Sequence, residues 1–289
     1  MKAIFAILIL SALTFNSFGQ SGNENLKLKD SRISLFNTDR SSLGNVSETK
    51  TRKQKDFTFG INVYLWAASL NGTAALPSDN PILSPQTPEV QVSLKFSDAV
   101  KYLKFVIMFA GNFRYKSIAL MYDIAYVNLK YSASVPVAST YISADLSAKT
   151  FTGDVDLAYR FPSKNKNLQL GSYIGARISS LDNTLDFFRP NGEVVNAAFA
   201  KTWVDPLVGG DAKIDLSKHW LMYLKGDVGG FGISSNFTGL ILWTIGYKFT
   251  ENLNTTLGFK YLYVDYDKDN FLWKMSQYGM LLSFGYMFK

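Results

Sequence analysis

The sequence predicts an all-β chain that folds as a single up-and-down transmembrane antiparallel β-barrel of about ten strands, with 8 or 12 as the alternatives. Three observations support this. The chain starts with a secretory signal, and from Phe57 onward it alternates apolar with polar or small residues over stretches of roughly 10 residues or more. Beyond the signal, no stretch approaches the roughly 18 uninterrupted apolar residues of a membrane helix.

Residues 1–19 have the features of a signal peptide. Lys2 supplies the positive start, residues 3–13 form a short apolar run, and Ser17-Phe18-Gly19 is a small-x-small cleavage site. The mature chain is therefore expected to begin at Gln20. The absence of cysteine excludes disulfide and thiolate chemistry, and it excludes lipid attachment at the new N-terminus.

Residues 20–56 are polar and are predicted to form a flexible basic arm in the periplasm. Lys and Arg exceed Asp and Glu to give a net charge of +7, and much of the excess lies in residues 50–55. Export argues against nucleic acid as a partner. The arm is instead expected to bind anionic partners such as lipid head groups or a periplasmic polymer.

The barrel is predicted to occupy residues 57–289, and its first three strands each have an apolar and a polar face. Arg114 and Asp123 lie on the polar faces. The apolar faces are Phe57, Phe59, Ile61, Val63 and Leu65; Phe105, Ile107, Phe109, Phe113 and Tyr115; and Ile118, Leu120, Tyr122, Ile124 and Tyr126.

The fourth strand places Asp154, Asp156 and Arg160 on one face, which therefore cannot lie in lipid. The fifth strand, over about 168–187, has Arg177 inward. The sixth, over about 199–214, sets Lys201, Asp205, Asp211 and Lys213 opposite Val204, Val208 and Ile214. Pro206 has no N–H for the strand ladder, so a β-bulge is expected there.

The last four strands repeat the pattern. The seventh sets Trp220, Met222, Leu224 and Val228 against Lys225 and Asp227, and the ninth has Lys260 on its polar face. The apolar faces of the eighth and tenth are Phe237, Ile241, Trp243, Ile245, Tyr247 and Phe249, and Tyr278, Met280, Leu282, Phe284, Tyr286 and Phe288.

Connection lengths support an even strand count with both ends in the periplasm. The expected periplasmic links are short: 116–117, 162–167, 215–219 and 250–252. The opposite links include the longer 70–104, 132–140 and 188–198, although 233–236 and 267–270 are short. In the first of these, Ser97 and Asp98 are predicted to cap a short helix through Lys104, which would cover the mouth or plug the lumen; an extension of the second strand is the alternative.

Inward charges are the candidate functional residues. They form a nearly balanced set that is expected to pair across the lumen: Arg114, Asp123, Asp154, Asp156, Arg160, Arg177, Asp211, Lys213, Lys225, Asp227 and Lys260. Asp154 and Asp156 would alternatively serve as a general acid and base. The one histidine, His219, lies in a predicted periplasmic turn, and neither metal-ligand spacing nor a cofactor motif is found.

Several stretches resemble small bacterial outer-membrane β-barrel proteins of unassigned function. They include Tyr64-Leu65-Trp66, residues 203–209 (WVDPLVG) and residues 226–232 (GDVGGFG), and the final Tyr286-Met287-Phe288 resembles the aromatic-ended strand by which such barrels are recognised for assembly. The resemblance implies the outer membrane as location, with its lipid and the barrel-assembly machinery as partners. It implies no catalytic residue.

These features favour a non-enzymatic barrel with a lumen largely filled by side chains and a structural or surface-interaction role. Barrels of about eight strands are filled in this way, whereas open channels need about 16. A narrow pore for small solutes and a histidine-free hydrolase acting through Asp154 and Asp156 are the alternatives.

Overall fold

A computed structural model describes residues 57–75, 89–137, 140–188 and 194–288. The predicted signal peptide (1–19) and basic arm (20–56) lie outside these residues. No helix of the described residues is long and apolar enough to cross a membrane.

Eleven strands and one short helix make up the fold of the described residues. They are β1 (Phe57–Ala75), β2 (Val90–Leu94), α1 (Phe96–Ala99) with a following 3-10 turn (Val100–Tyr102), β3 (Leu103–Tyr115), β4 (Ile118–Val137), β5 (Thr140–Arg160), β6 (Leu168–Phe188), β7 (Val194–Asp215), β8 (Trp220–Gly229), β9 (Phe237–Lys248), β10 (Leu253–Lys268) and β11 (Phe271–Phe288).

The strands form a closed antiparallel barrel. Each pairs with its sequence neighbour from β3 to β11, β1 pairs with β3, and β11 pairs back with β1. β2 pairs only with residues 70–74 of β1, above the end of the β1–β3 ladder. Ten strands therefore close the wall, and the predicted fold class and strand count are confirmed.

The two ends of the barrel differ. At one end, which we call the turn end, strands are joined by residues 116–117, 161–167, 216–219 and 249–252, and β1 begins and β11 ends there. We call the other the loop end. The links predicted to be short lie together at the turn end, as expected. The predicted outer links at 132–140 and 188–198 are shorter than expected, because β4, β5 and β7 extend into them.

Alternation along each strand places one face outside and one inside. Apolar side chains on the outer face are largely exposed, as for Ile174 at 64%, Ile241 at 63% and Val63 at 61%. On the inner face, the charged side chains of Arg177 on β6 and Asp156 on β5 are fully buried at 0%. The wall is therefore apolar on its outside and buries charged side chains within, unlike that of a soluble protein.

The predicted helix in the first outer link is present, but two predictions about it are wrong. It begins after Lys95, with no side-chain cap, and not at Ser97. Its Phe96 N–H donates to Ser69 Oγ on β1 at 3.1 Å, so the helix continues the barrel wall between β2 and β3. Phe96 and Val100 are 40% and 48% exposed, and this segment is therefore not the plug of the lumen.

Candidate functional site

Arg177 stands at the centre of the lumen with all its charge partners buried. Its Nε and Nη2 donate to the two carboxylate oxygens of Asp154, each at 2.9 Å. Nη2 also lies 3.1 Å from Asp227 Oδ1, and Nη1 donates to Thr238 Oγ1 at 3.0 Å. One guanidinium thus joins strands β5, β6, β8 and β9 across the barrel.

Three more ion pairs surround this centre. Lys225 Nζ lies 2.8 Å from Asp156 Oδ2, and Lys260 Nζ lies 2.8 Å from Asp123 Oδ2. Arg160 pairs with Asp211. We call these nine inward-facing residues the charge layer: Asp123, Asp154, Asp156, Arg160, Arg177, Asp211, Lys225, Asp227 and Lys260.

Neutral side chains add hydrogen bonds to the charge layer, although Asp156 Oδ1 and Asp211 Oδ1 are buried without a hydrogen-bond partner. Tyr173 donates its hydroxyl to Asp227 Oδ2 at 3.0 Å, and Tyr64 donates to Asp123. The ammonium of Lys260 lies 5.0 Å from the centre of the Trp66 ring, a cation–π distance. Buried charges need such partners because their desolvation is costly.

The structure places the other two predicted lumen charges outside the layer. Arg114 and Lys213 line a cavity nearer the turn end. Arg114 Nε donates to the backbone carbonyl of Lys116 in the adjacent turn at 2.8 Å. The sequence located both on inward faces, and both side chains line the lumen.

Asp205 is a buried carboxylate that the predicted network omitted. It accepts hydrogen bonds from Trp203 Nε1 at 3.1 Å, from Ser235 N at 2.7 Å and from Ser235 Oγ at 2.7 Å. Its inward position on the sixth strand was readable from the alternation, but its partner Ser235 lies in the turn between β8 and β9. The hydrogen bonds of Asp205 therefore hold that turn against β7.

Apolar side chains fill the lumen on the loop side of the charge layer. We call this set the apolar plug: Leu181, Trp203, Leu262, Val264, Tyr266 and Phe271. Ring centres of Trp203 and Tyr266 are 4.7 Å apart, and those of Tyr266 and Phe271 are 5.6 Å apart.

At the rim beyond the plug, a hydrogen bond from the Lys201 ammonium lowers the pKa of the Asp269 carboxyl.

A cavity of about 980 Å³ occupies the lumen on the turn side of the charge layer. We call it the turn-end cavity. It opens at the turn end, because its lining includes Lys218, His219 and Glu251 in the turns, and its floor includes Asp123 and Lys225 of the charge layer. The prediction of a filled lumen is therefore correct for the loop side and wrong for the turn side. Within the charge layer itself, only about 10 Å³ is empty.

His219 lies in the turn before β8, as predicted. Its Nδ1 is 3.2 Å from the backbone carbonyl of Lys248, and its ring stacks on Tyr247 with centres 5.7 Å apart. Across the described ranges, no group of three or more His, Cys, Asp or Glu residues is arranged to hold a metal ion.

The two carboxylates considered as a general acid and base are both occupied. Asp154 is 3% exposed with both oxygens on Arg177, and Asp156 is 0% exposed with Lys225 on Oδ2. Neither carboxylate lines the turn-end cavity. A hydrolase would need them accessible from a cleft and not held by a cation.

The chain is similar in fold to solved outer-membrane barrels. The outer-membrane protease OmpT from Escherichia coli has 10% identity and a TM-score of 0.49, over 81% of this chain and 96% of that one. The translocator domain of the autotransporter NalP from Neisseria meningitidis has 11% identity and a TM-score of 0.38, over 80% and 86%. Neisserial surface protein A has 12% identity and a TM-score of 0.30, over 81% and 97%. No protein family model and no curated protein matches the chain.

Proposed function

We propose that this chain is an integral outer-membrane β-barrel with a closed lumen, which has a structural or surface-interaction role and catalyses no reaction. The single observation that carries the proposal is the closure of the lumen by a buried charge layer and an apolar plug, inside a wall whose outer face is apolar. A conducting barrel needs a continuous wet path, whereas here two successive layers of side chains cross the lumen.

The outer surface supports a membrane location. It carries many exposed apolar side chains, and aromatic rings gather at the turn end, where Trp220 packs on Tyr247 and Tyr286 on Phe288 with ring centres 5.3 and 4.7 Å apart. Such girdles are typical of the membrane–water interface. Together with the predicted signal peptide, they favour the outer membrane, with the turn end in the periplasm.

Buried ion pairs support a role without catalysis. The Asp154 and Asp156 carboxylates are held by Arg177 and Lys225, and His219 stacks on Tyr247 at the rim. Neither carboxylate is placed as an accessible base. The basic residues 50–55 remain a proposed contact with lipid head groups or an anionic periplasmic polymer.

Conductance in a planar bilayer tests the closed lumen. Chain 20–289, refolded and inserted, is expected to give no channel steps, with insertion verified by protection of the barrel from protease. Reproducible steps would overturn the closed lumen and favour the narrow pore. Deleting residues 20–56 should leave the barrel assembled in the same assay, and loss of assembly would contradict an independent arm.

A further inference from the structure

The turn-end cavity is a blind pocket of binding-site size, and the N-terminal arm joins the barrel at its mouth. Ligand pockets typically have about 300–1,000 Å³, and this cavity has about 980 Å³. Asp123 and Lys225 of the charge layer lie at its inner end, and residues of the turns surround its mouth. β1 begins at Phe57 at the same end of the barrel, so residues 20–56 continue from the mouth of the cavity.

Charged side chains around the cavity have partners within the barrel. The Arg114 guanidinium donates to the backbone carbonyl of Lys116, and its Nη groups meet the side-chain amide of Gln169. Lys213 also has a partner. Carboxylates pair with three further cations of the wall: Arg160, Lys225 and Lys248. A ligand of the cavity therefore does not have to neutralise these cations.

Three asparagine amides of the cavity wall make no hydrogen bond to another residue that the structure describes. Asn62, Asn112 and Asn254 lie on β1, β3 and β10. Gly285 of β11 pairs with both Asn62 and Asn254, and a side chain at Gly285 would collide with both amide oxygens. The glycine thus leaves room for the two amides to converge. Since an amide both donates and accepts, these groups suit the backbone of an extended chain segment.

The same cavity has apolar side chains on its wall. Leu242 and Met287 are only partly buried, so their apolar surface is still in contact with the cavity. Covering such surface with another apolar group is favourable, because it removes both from water. The whole apolar lining of the inward-facing positions is Met121, Leu221, Leu242, Leu281 and Met287. A peptide with apolar side chains therefore fits both kinds of lining.

The N-terminal arm contains a short apolar patch, which we call the arm patch: Ile33, Leu35 and Phe36. Residues 37–56 join it to β1 and would span about 65 Å if fully extended. The cavity-lining part of β1, residues 58–64, covers only about 20 Å. The arm patch can therefore reach the cavity of its own chain, and tethering of this kind gives effective concentrations in about the millimolar range.

We propose that the arm patch binds in the turn-end cavity of its own chain, with its backbone at Asn62 and Asn254 and its apolar side chains against Leu242 and Met287. The arm is then an internal ligand of the barrel, and it fills the turn side of the lumen as the apolar plug fills the loop side. Residues 50–55 lie between the arm patch and β1, so they stay outside the cavity. This docking requires neither the proposed membrane orientation nor the proposed absence of catalysis.

Thiol labelling tests the docking, because the chain has no cysteine of its own. Asn254→Cys places a thiol in the cavity of the refolded chain 20–289 in micelles, and Lys164→Cys places one in an exposed turn. Labelling by a polar maleimide is timed in the parent arm and in a serine arm, which carries Ile33→Ser, Leu35→Ser and Phe36→Ser together. We expect the cavity thiol to react about tenfold more slowly with the parent arm, because only the undocked fraction is accessible. The turn thiol should react at one rate with both arms.

Disulfide formation locates the contact. Leu35→Cys combined with Asn254→Cys should form an internal disulfide on mild oxidation, since docking brings the two positions within bonding range. Leu26→Cys with Asn254→Cys is the matched control and should form much less. Equal yields from the two pairs would overturn the docking of the arm patch. Disulfide-linked dimers in place of the internal bond would overturn docking within one chain and assign the arm to the cavity of a second copy.

Folding is checked before labelling, by the heat-dependent migration of each variant on a gel. Asn62→Cys replaces Asn254→Cys if the latter does not fold. Equal labelling rates of the cavity thiol with the parent and serine arms, whether fast or slow, would overturn the docking. Channel steps in the planar bilayer would overturn only the closed lumen.

Discussion

Arg177 and Asp154 are directly opposed in the β5–β6 ladder and are joined by two parallel hydrogen bonds of 2.9 Å inside the lumen. Both side chains are buried, at 0% and 3% exposure. The same guanidinium also holds Asp227 from β8. One residue thus neutralises two carboxylates on different strands. By linking these strands across the lumen, the ion pairs of the charge layer stabilise the barrel.

Removing Arg177 should therefore destabilise the barrel strongly. Arg177→Met would leave Asp154 and Asp227 buried without a cation, and breaking a buried pair in this way costs about 3–5 kcal/mol. Urea unfolding in micelles, followed by tryptophan fluorescence, measures the change. Lys149→Gln, which breaks an exposed pair with Asp182, is the matched control and should change stability little. A similar loss in the free energy of unfolding for both variants would contradict a stabilising role of the Arg177 ion pairs.

An arginine on the outer wall should impair stability in lipid. Ile174 is 64% exposed on the apolar face of β6, and Ile174→Arg should cost about 2–4 kcal/mol near the bilayer centre. Guanidinium unfolding from lipid vesicles measures it. Leu216→Arg, at a 52% exposed position in the turn after β7, should be nearly neutral. A neutral Ile174→Arg would show that this face does not contact lipid.

The turn between β8 and β9 offers a matched pair of glycines. Gly230 and Gly232 have φ of +84° and +73°, and an L-residue in the left-handed region costs about 1–2 kcal/mol. A Cβ on Gly230 would lie 2.7 Å from the Ser235 carbonyl oxygen, whereas one on Gly232 would meet nothing within 4 Å. We expect Gly230→Ala to destabilise more than Gly232→Ala in urea unfolding. The reverse order would contradict the turn geometry.

Two methionines of β11 test the apolar filling of the lumen. Met275 is 0% exposed inside the barrel, and Met280 is 49% exposed on the outer wall. Met275→Ala should cost about 2–5 kcal/mol, because it leaves a cavity among packed side chains. Met280→Ala should cost much less in micelles, since detergent fills the space. Equal losses, measured by urea unfolding, would show that the loop side of the lumen is not tightly packed.

Pro206 shows where local reasoning was insufficient. The absence of its N–H predicted a bulge, yet β7 runs through it in unbroken register with β6, where it faces Ala176. Its carbonyl accepts from Gly230 N at 3.1 Å, so the missing N–H lies on the β8 side. The β7–β8 ladder ends at Leu207, next to Pro206. The strand pairing therefore does not require a backbone N–H at Pro206.

The sequence by itself determined the strand period, the inward and outward faces, the short turns and the ten-stranded closed wall. It could do so because alternation is a local property, and a residue two positions away must face the same environment. The tertiary structure alone decided which cation meets which carboxylate: Lys260 and Asp123 are 137 positions apart in the chain. It also decided that the loop side of the lumen is packed and the turn side hollow, because that depends on the summed side-chain volume of all ten strands at each depth.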